Sequence, residues 1–153
     1  CSSDLEGEMI LVHYGHKFNL RDFEKDIFTL TLSSGTPILY SSPDKQLQPS
    51  NDYNLNNGKW HHIAVSMPRD SCLLSEVDMY IDGTAVQTTT PMADDNLFFV
   101  TSGLTSIGGF GYSSDMFEMN FPNFQPYVGG IDEFYLWSMP LTEDDLLLAM
   151  KRS

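Results

Sequence analysis

At 153 residues the chain is the size of one domain, long enough to bury roughly 70% of the surface its unfolded form exposes, so it needs no disulfide or metal staple to fold. Its 21 acidic and 8 basic residues leave a formal net charge of -13, a field that disfavours nucleic acid, heparin-like polyanions and anionic membranes as partners. No apolar run approaches the ~18 residues of a membrane span and no basic-then-apolar leader is present, so the chain reads as soluble, without direct membrane insertion.

Two-residue alternation dominates the chain. Residues 27–32 place Phe28, Leu30 and Leu32 on one face and Ile27, Thr29 and Thr31 on the other, a strand with a single core face. Val77, Met79 and Ile81 alternate in the same way with Glu76, Asp78, Tyr80 and Asp82. Turn residues punctuate such segments at Ser33-Ser34-Gly35, Asn56-Asn57-Gly58, Asp82-Gly83, Asp94-Asp95-Asn96 and Gly108-Gly109, where Gly, Asn and Asp tolerate positive φ. Residues 111–126 are turn-rich and aromatic and read as a long irregular loop.

Residues 142–151 read as a short helix. Thr142 is a good N-cap, Asp145 stands where a capping-box acid belongs, and Leu141 can staple to Leu146. Acids lead while Lys151 and Arg152 follow, as the helix dipole favours. Short strands between tight turns, with no repeat or linker, predict one all-β domain: a two-sheet antiparallel β-sandwich with one C-terminal helix. Cys1 and Cys72 are the only cysteines, so at most one internal disulfide can form, and no C-x-x-C offers zinc or thiol redox chemistry. There is no N-x-[ST] sequon from which secretion could be argued.

Four ordered motifs then carry a resemblance. Asn56-Asn57-Gly58-Lys59-Trp60-His61-His62-Ile63-Ala64-Val65-Ser66, Val77-Asp78-Met79-Tyr80-Ile81-Asp82-Gly83, Thr105-Ser106-Ile107-Gly108-Gly109, and residues 128–137 followed by Leu141-Thr142 resemble the laminin G-like family of concanavalin A-like domains. Upstream, Met9-Ile10-Leu11-Val12-His13-Tyr14-Gly15 is similar to the family's early strand, so the resemblance spans about residues 9–150. It implies a jelly roll of two antiparallel sheets whose curved face and loop rims bind glycans, glycoproteins or receptor ectodomains in relatives. It also implies that residues 128–137 form the closing strand. Family members begin with one more apolar strand, which Cys1 to Glu8 are too short and polar to supply. The expectation is therefore a single domain over 1–153 that lacks its N-terminal strand and belongs to a larger protein.

His61 and His62 are adjacent on an expected strand, so their side chains face opposite ways and cannot share a metal. His13 and His16 are poorly placed to do so either. Glu76-Val77-Asp78 opens like the E-x-D-x-E strand of related glycoside hydrolases, but Tyr80 and Ile81 stand where the second carboxylate belongs. Asp82 belongs to the Asp-Gly turn, and the acids of this strand read as its solvated face. No nucleophile elbow, phosphate loop or H-E-x-x-H occurs.

Clustered oxygens at Asp94, Asp95 and Asn96, and at Asp115, Glu118 and Asn120, suit a ligand-binding rim, although turn and solubility roles account for them equally. The resemblance points to Asp44, 18 residues before His62, as one Ca²⁺ ligand. It finds no acid or amide at Val100-Thr101-Ser102 for the second, with Asp132 a remote alternative. The expectation is thus no required cofactor and at most weak Ca²⁺ binding. Together these point to a non-catalytic extracellular or secretory-lumen module that binds a glycan or a protein ectodomain. An accessory domain of a carbohydrate-active enzyme comes second, and a glycoside hydrolase last.

Overall fold

The computed structural model describes residues 8–15, 28–42, 44–92, 94–98, 104–109 and 124–151. The largest sheet contains β1 (Glu8–Gly15), β2 (Phe28–Ser33), β3 (Thr36–Ser42) and β4 (Lys45–Pro49) as an antiparallel meander. β9 (Thr88–Thr89) pairs with β4, while the other edge of β1 is shared between β11 (Leu104–Ile107) and a parallel β12 (Phe124–Pro126). A second layer is formed by β5 (Ile63–Ser66), β7 (Asp78–Ile81) and β8 (Thr84–Val86), and β6 (Ser71–Leu73) pairs with β10 (Asn96–Phe98). The chain passes from β8 to β9 through Gln87, whose carbonyl accepts from the Ser50 N–H at 2.8 Å, so one side of the sandwich is closed by continuous backbone.

Two of the tight hairpins follow from local chemistry. Ser34 and Gly35 have φ of 50° and 88° between the paired Ser33 and Thr36, and Asp82 and Gly83 have φ of 52° and 78° between Ile81 and Thr84. Positive φ at both central positions is the type I′ geometry that matches the strands' right-handed twist. The helix α1 (Glu143–Met150) forms where the sequence places it: Thr142 Oγ1 accepts from the Asp145 N–H at 3.3 Å, and Asp145 accepts from the Thr142 N–H at 3.1 Å. This helix lies against the β7–β8 turn, because a Cβ on Gly83 would come within 2.6 Å of Leu147.

The core is one cluster from both layers. Leu30, Leu39 and Leu47 of the large sheet pack with Cys72, Leu74, Val77, Met79 and Leu97, each burial contributing roughly 1.5–3 kcal/mol. Cys72 has no bridge among the described residues, and Cys1 lies outside them.

Four expectations are revised. β2 has two buried faces, because Thr29 and Thr31 are as inaccessible as Leu30. Their hydroxyls are satisfied within the sheet, Thr29 Oγ1 lying 2.8 Å from His13 Nδ1 and Thr31 donating to Glu8 at 3.1 Å. Tyr80 is likewise buried, on the side of the three-stranded sheet that α1 occupies. Residues 124–126 end the expected loop as a strand, because β1 offers them an edge. Residues 128–137 form no strand; Glu133 at φ 52° breaks the extended run and no neighbouring edge pairs with it.

Candidate functional site

Part of the predicted rim lies where β3 ends. Ser41 Oγ donates to Asp95 at 3.2 Å and Ser42 Oγ donates to Asp44 at 3.0 Å, so adjacent serines hold two acids that are far apart in sequence. Asp94 accepts from the Ser75 N–H at 3.1 Å and from its hydroxyl, and the Leu74 N–H donates to the Asp95 carbonyl at 2.8 Å. These bonds cap a 3₁₀ turn at Leu74–Glu76. The rim carboxylates therefore hold the fold's own turns. Asn96 starts β10 opposite Leu73. Asp132 lies apart, in the irregular segment, accepting from the Glu133 N–H at 2.9 Å. Asp115, Glu118 and Asn120 lie outside the described residues, as do His16 and residues 100–102.

The Lys45 ammonium sits 3.9 Å from Asp44, a cation beside the acid that the resemblance offers to Ca²⁺. Among the described residues no three His, Cys, Asp or Glu side chains converge.

Glu76 is held in an ion pair. Both of its oxygens accept from Arg69 at 2.7 Å, and one accepts from the Leu73 N–H at 2.8 Å. The Leu73 bond, then Arg69, hold its carboxyl below the usual range, the wrong direction for a general acid at neutral pH. Asp78 is exposed at the start of β7, as expected of a solvated face, and Asp82 occupies the hairpin turn.

The histidine pair precedes β5 instead of lying on it. His61 Nδ1 is 2.8 Å from Asp82 Oδ2 and its Nε2 is 3.0 Å from Asn57 Oδ1, while the His62 N–H donates to Asp82 Oδ1 at 2.9 Å. One carboxylate thus pins the loop before β5 to the β7–β8 hairpin. Burial opposes ionisation of Asp82, but the bonds from His61 and the His62 N–H prevail and its pKa falls. Burial lowers that of His62 despite Asp82 nearby. Sequence reasoning missed this contact; the available signal was the register of the Asp-Gly turn against the histidine motif.

A second polar group lies across β1, β2 and β3. Tyr40 donates to Glu8 at 2.6 Å beside the Thr31 hydroxyl, and burial followed by that bond raises the phenol's pKa. Burial pushes His13 down to about 4. These groups are internal and stabilise the sheet.

The side chains free to meet a ligand are elsewhere. Tyr135 and Trp137 stand half-exposed with ring centroids 6.0 Å apart and tilted by 39°. With Leu141, Asp145, Leu148 and Ala149 they line a cleft of about 350 Å³. Exposed aromatic faces beside acceptor oxygens suit a flat, partly apolar ligand such as a sugar ring.

Comparison with known proteins agrees with this architecture. A laminin G-type family model, described as the concanavalin A-like lectin/glucanases superfamily, matches residues 11–147. No curated protein and no solved structure matches the chain. On its strands, its core and this match over nearly its whole length, the chain belongs to the laminin G-type branch of the concanavalin A-like lectin/glucanases superfamily.

Proposed function

We propose that the chain is a non-catalytic extracellular recognition module whose ligand is a glycan or a glycoprotein ectodomain. Membership of the superfamily supports carbohydrate or protein binding in general. The observation that carries the finer reading is the cleft between Tyr135, Trp137 and α1, which presents aromatic faces to solvent beside the Asp145 carboxylate. Glu76, in a 3₁₀ turn and paired with Arg69, with Tyr80 and Ile81 where the second carboxylate of a glycoside hydrolase would stand, speaks against hydrolysis. The net charge of -13 favours neutral or basic ligands over polyanions.

A glycan array probed with the chain, followed by titration monitored by tryptophan fluorescence, tests this. Binding should be lost in Trp137→Ala and retained in Asp44→Asn, with both variants folded by circular dichroism. An empty array with capture of a glycoprotein in a pull-down selects the ectodomain arm. Glycoside turnover that disappears in Glu76→Gln would overturn the reading.

A further inference from the structure

His61 and His62 are neighbours in sequence with opposite surroundings. The His62 ring holds its Nδ1 buried with no hydrogen-bond partner among the described residues, and burial lowers its pKa despite Asp82 nearby. The His61 side chain, only 16% exposed, is bonded at both ring nitrogens: Nδ1 is 2.8 Å from Asp82 Oδ2 and Nε2 is 3.0 Å from Asn57 Oδ1. A neutral imidazole has one N–H to give and one lone pair to offer, so the nature of the two partners fixes the charge state that satisfies the ring.

Both partners are acceptors. Burial opposes ionisation of Asp82, but the bonds from His61 and the His62 N–H hold its carboxyl low, and a carboxylate can only accept. Asn57 is oriented by its own turn. Its Nδ2 donates to the Asn54 carbonyl at 3.1 Å and its Oδ1 accepts from the Lys59 N–H at 3.0 Å, with Gly58 at φ 76° in between. The oxygen therefore faces Nε2, and the arrangement is complete only when both ring nitrogens carry a proton.

Loss of one proton breaks it. If the remaining proton stays on Nδ1, where the bond to a carboxylate is charge-assisted, the bare Nε2 stands against Asn57 Oδ1. Turning the Asn57 amide over would offer Nε2 a donor but would break the turn's bonds to Lys59 and Asn54. A proton kept on Nε2 instead sets a bare nitrogen against Asp82. Other charged groups around this joint are engaged elsewhere or lie on the same segment. Lys59 and His62 flank His61 in the chain. The helix α1 meets the hairpin at Gly83 through the uncharged Leu147 and Met150, and its Glu143 acts on Tyr80. Beyond Gly130, Asp132 accepts from the Glu133 N–H and Glu133 from the Tyr135 hydroxyl.

Trp60, between Lys59 and His61, carries the consequence outward. Its side chain is seated on Gly130, where a Cβ would lie 2.8 Å from the ring, at the head of the segment that bears Tyr135 and Trp137. We propose that His61 is a proton-operated latch: its charged ring clamps the turn at 54–59 to the β7–β8 hairpin and seats Trp60 on Gly130, and loss of a ring proton opens the turn and frees Trp60. The latch stands whether or not the Tyr135–Trp137 cleft binds a glycan.

NMR of the 153-residue chain tests it, with fluorescence of Trp137→Phe, in which Trp60 is the only tryptophan. As the pH rises from ~5 to ~9, the His61 ring nitrogens, the Lys59 amide and the Trp60 emission should change with one shared midpoint. Exchange at the Lys59 N–H, corrected for its intrinsic rate, should speed about tenfold or more. His61→Gln should abolish the emission change. Asn57→Asp, whose side chain only accepts whichever way it turns, should carry the shared midpoint upward. A ring that titrates while Lys59 and Trp60 stay unchanged overturns the proposal, as do separate midpoints, an emission change that survives in His61→Gln, or a midpoint unmoved in Asn57→Asp. Should either variant fail to fold, the ring nitrogens and the Lys59 amide of the parent still decide the question.

Discussion

β7 and the segment 131–137 have the same kind of sequence and opposite fates. Both combine acids with large apolar residues, and both resemble strands of the same family. β7 lies between β5 and β8, with Met79 and Ile81 in the core and Tyr80 buried on the other face. Residues 131–137 pair with nothing described and leave Phe134, Tyr135, Leu136 and Trp137 exposed. The difference teaches that a strand belongs to a pair: alternation makes it possible, but a neighbouring edge makes it form.

The contrast is broken most severely by truncating each side. Met79→Ala, at a fully buried position of β7, should cost about 2–5 kcal/mol, while Leu136→Ala should stay within about 0.5 kcal/mol. Denaturant unfolding measures both, and equal losses would show that the exposed segment is packed in solution.

Acid should find the buried half next. Burial takes His13 from 6.5 to about 4, so the unfolded chain binds this proton first. Stability from the neutral histidine is intact above pH ~6.5, falls as the pH drops toward ~4, and levels off below, a total of about 3 kcal/mol. Unfolding of the parent and of His13→Gln at pH 7 and 4.5 measures it. The variant should lose less between the two pH values, and parallel losses would remove His13 as the cause.

The smallest effect concerns the rim. With Lys45 beside Asp44, calorimetry should show weak or no Ca²⁺ uptake, little changed in Asp44→Asn. Tight binding abolished by that substitution would make the rim a metal centre and overturn the weight placed on the aromatic cleft.

What the sequence determined by itself was local. Ser34-Gly35 and Asp82-Gly83 adopt the positive φ their turns require, and Thr142 with Asp145 caps α1 as predicted. These depend on residues a few positions apart, and the ordered motifs added the superfamily. Tertiary structure decided the rest. The burial of Thr29, Thr31 and Tyr80, the pairing of Asp82 with His61 and His62, and the bond from Ser41 to Asp95 join residues whose separation alternation cannot span. The failure of residues 128–137 to form a strand has the same origin, because a ladder hydrogen bond needs a partner from another segment and no residue can specify that partner from its own position.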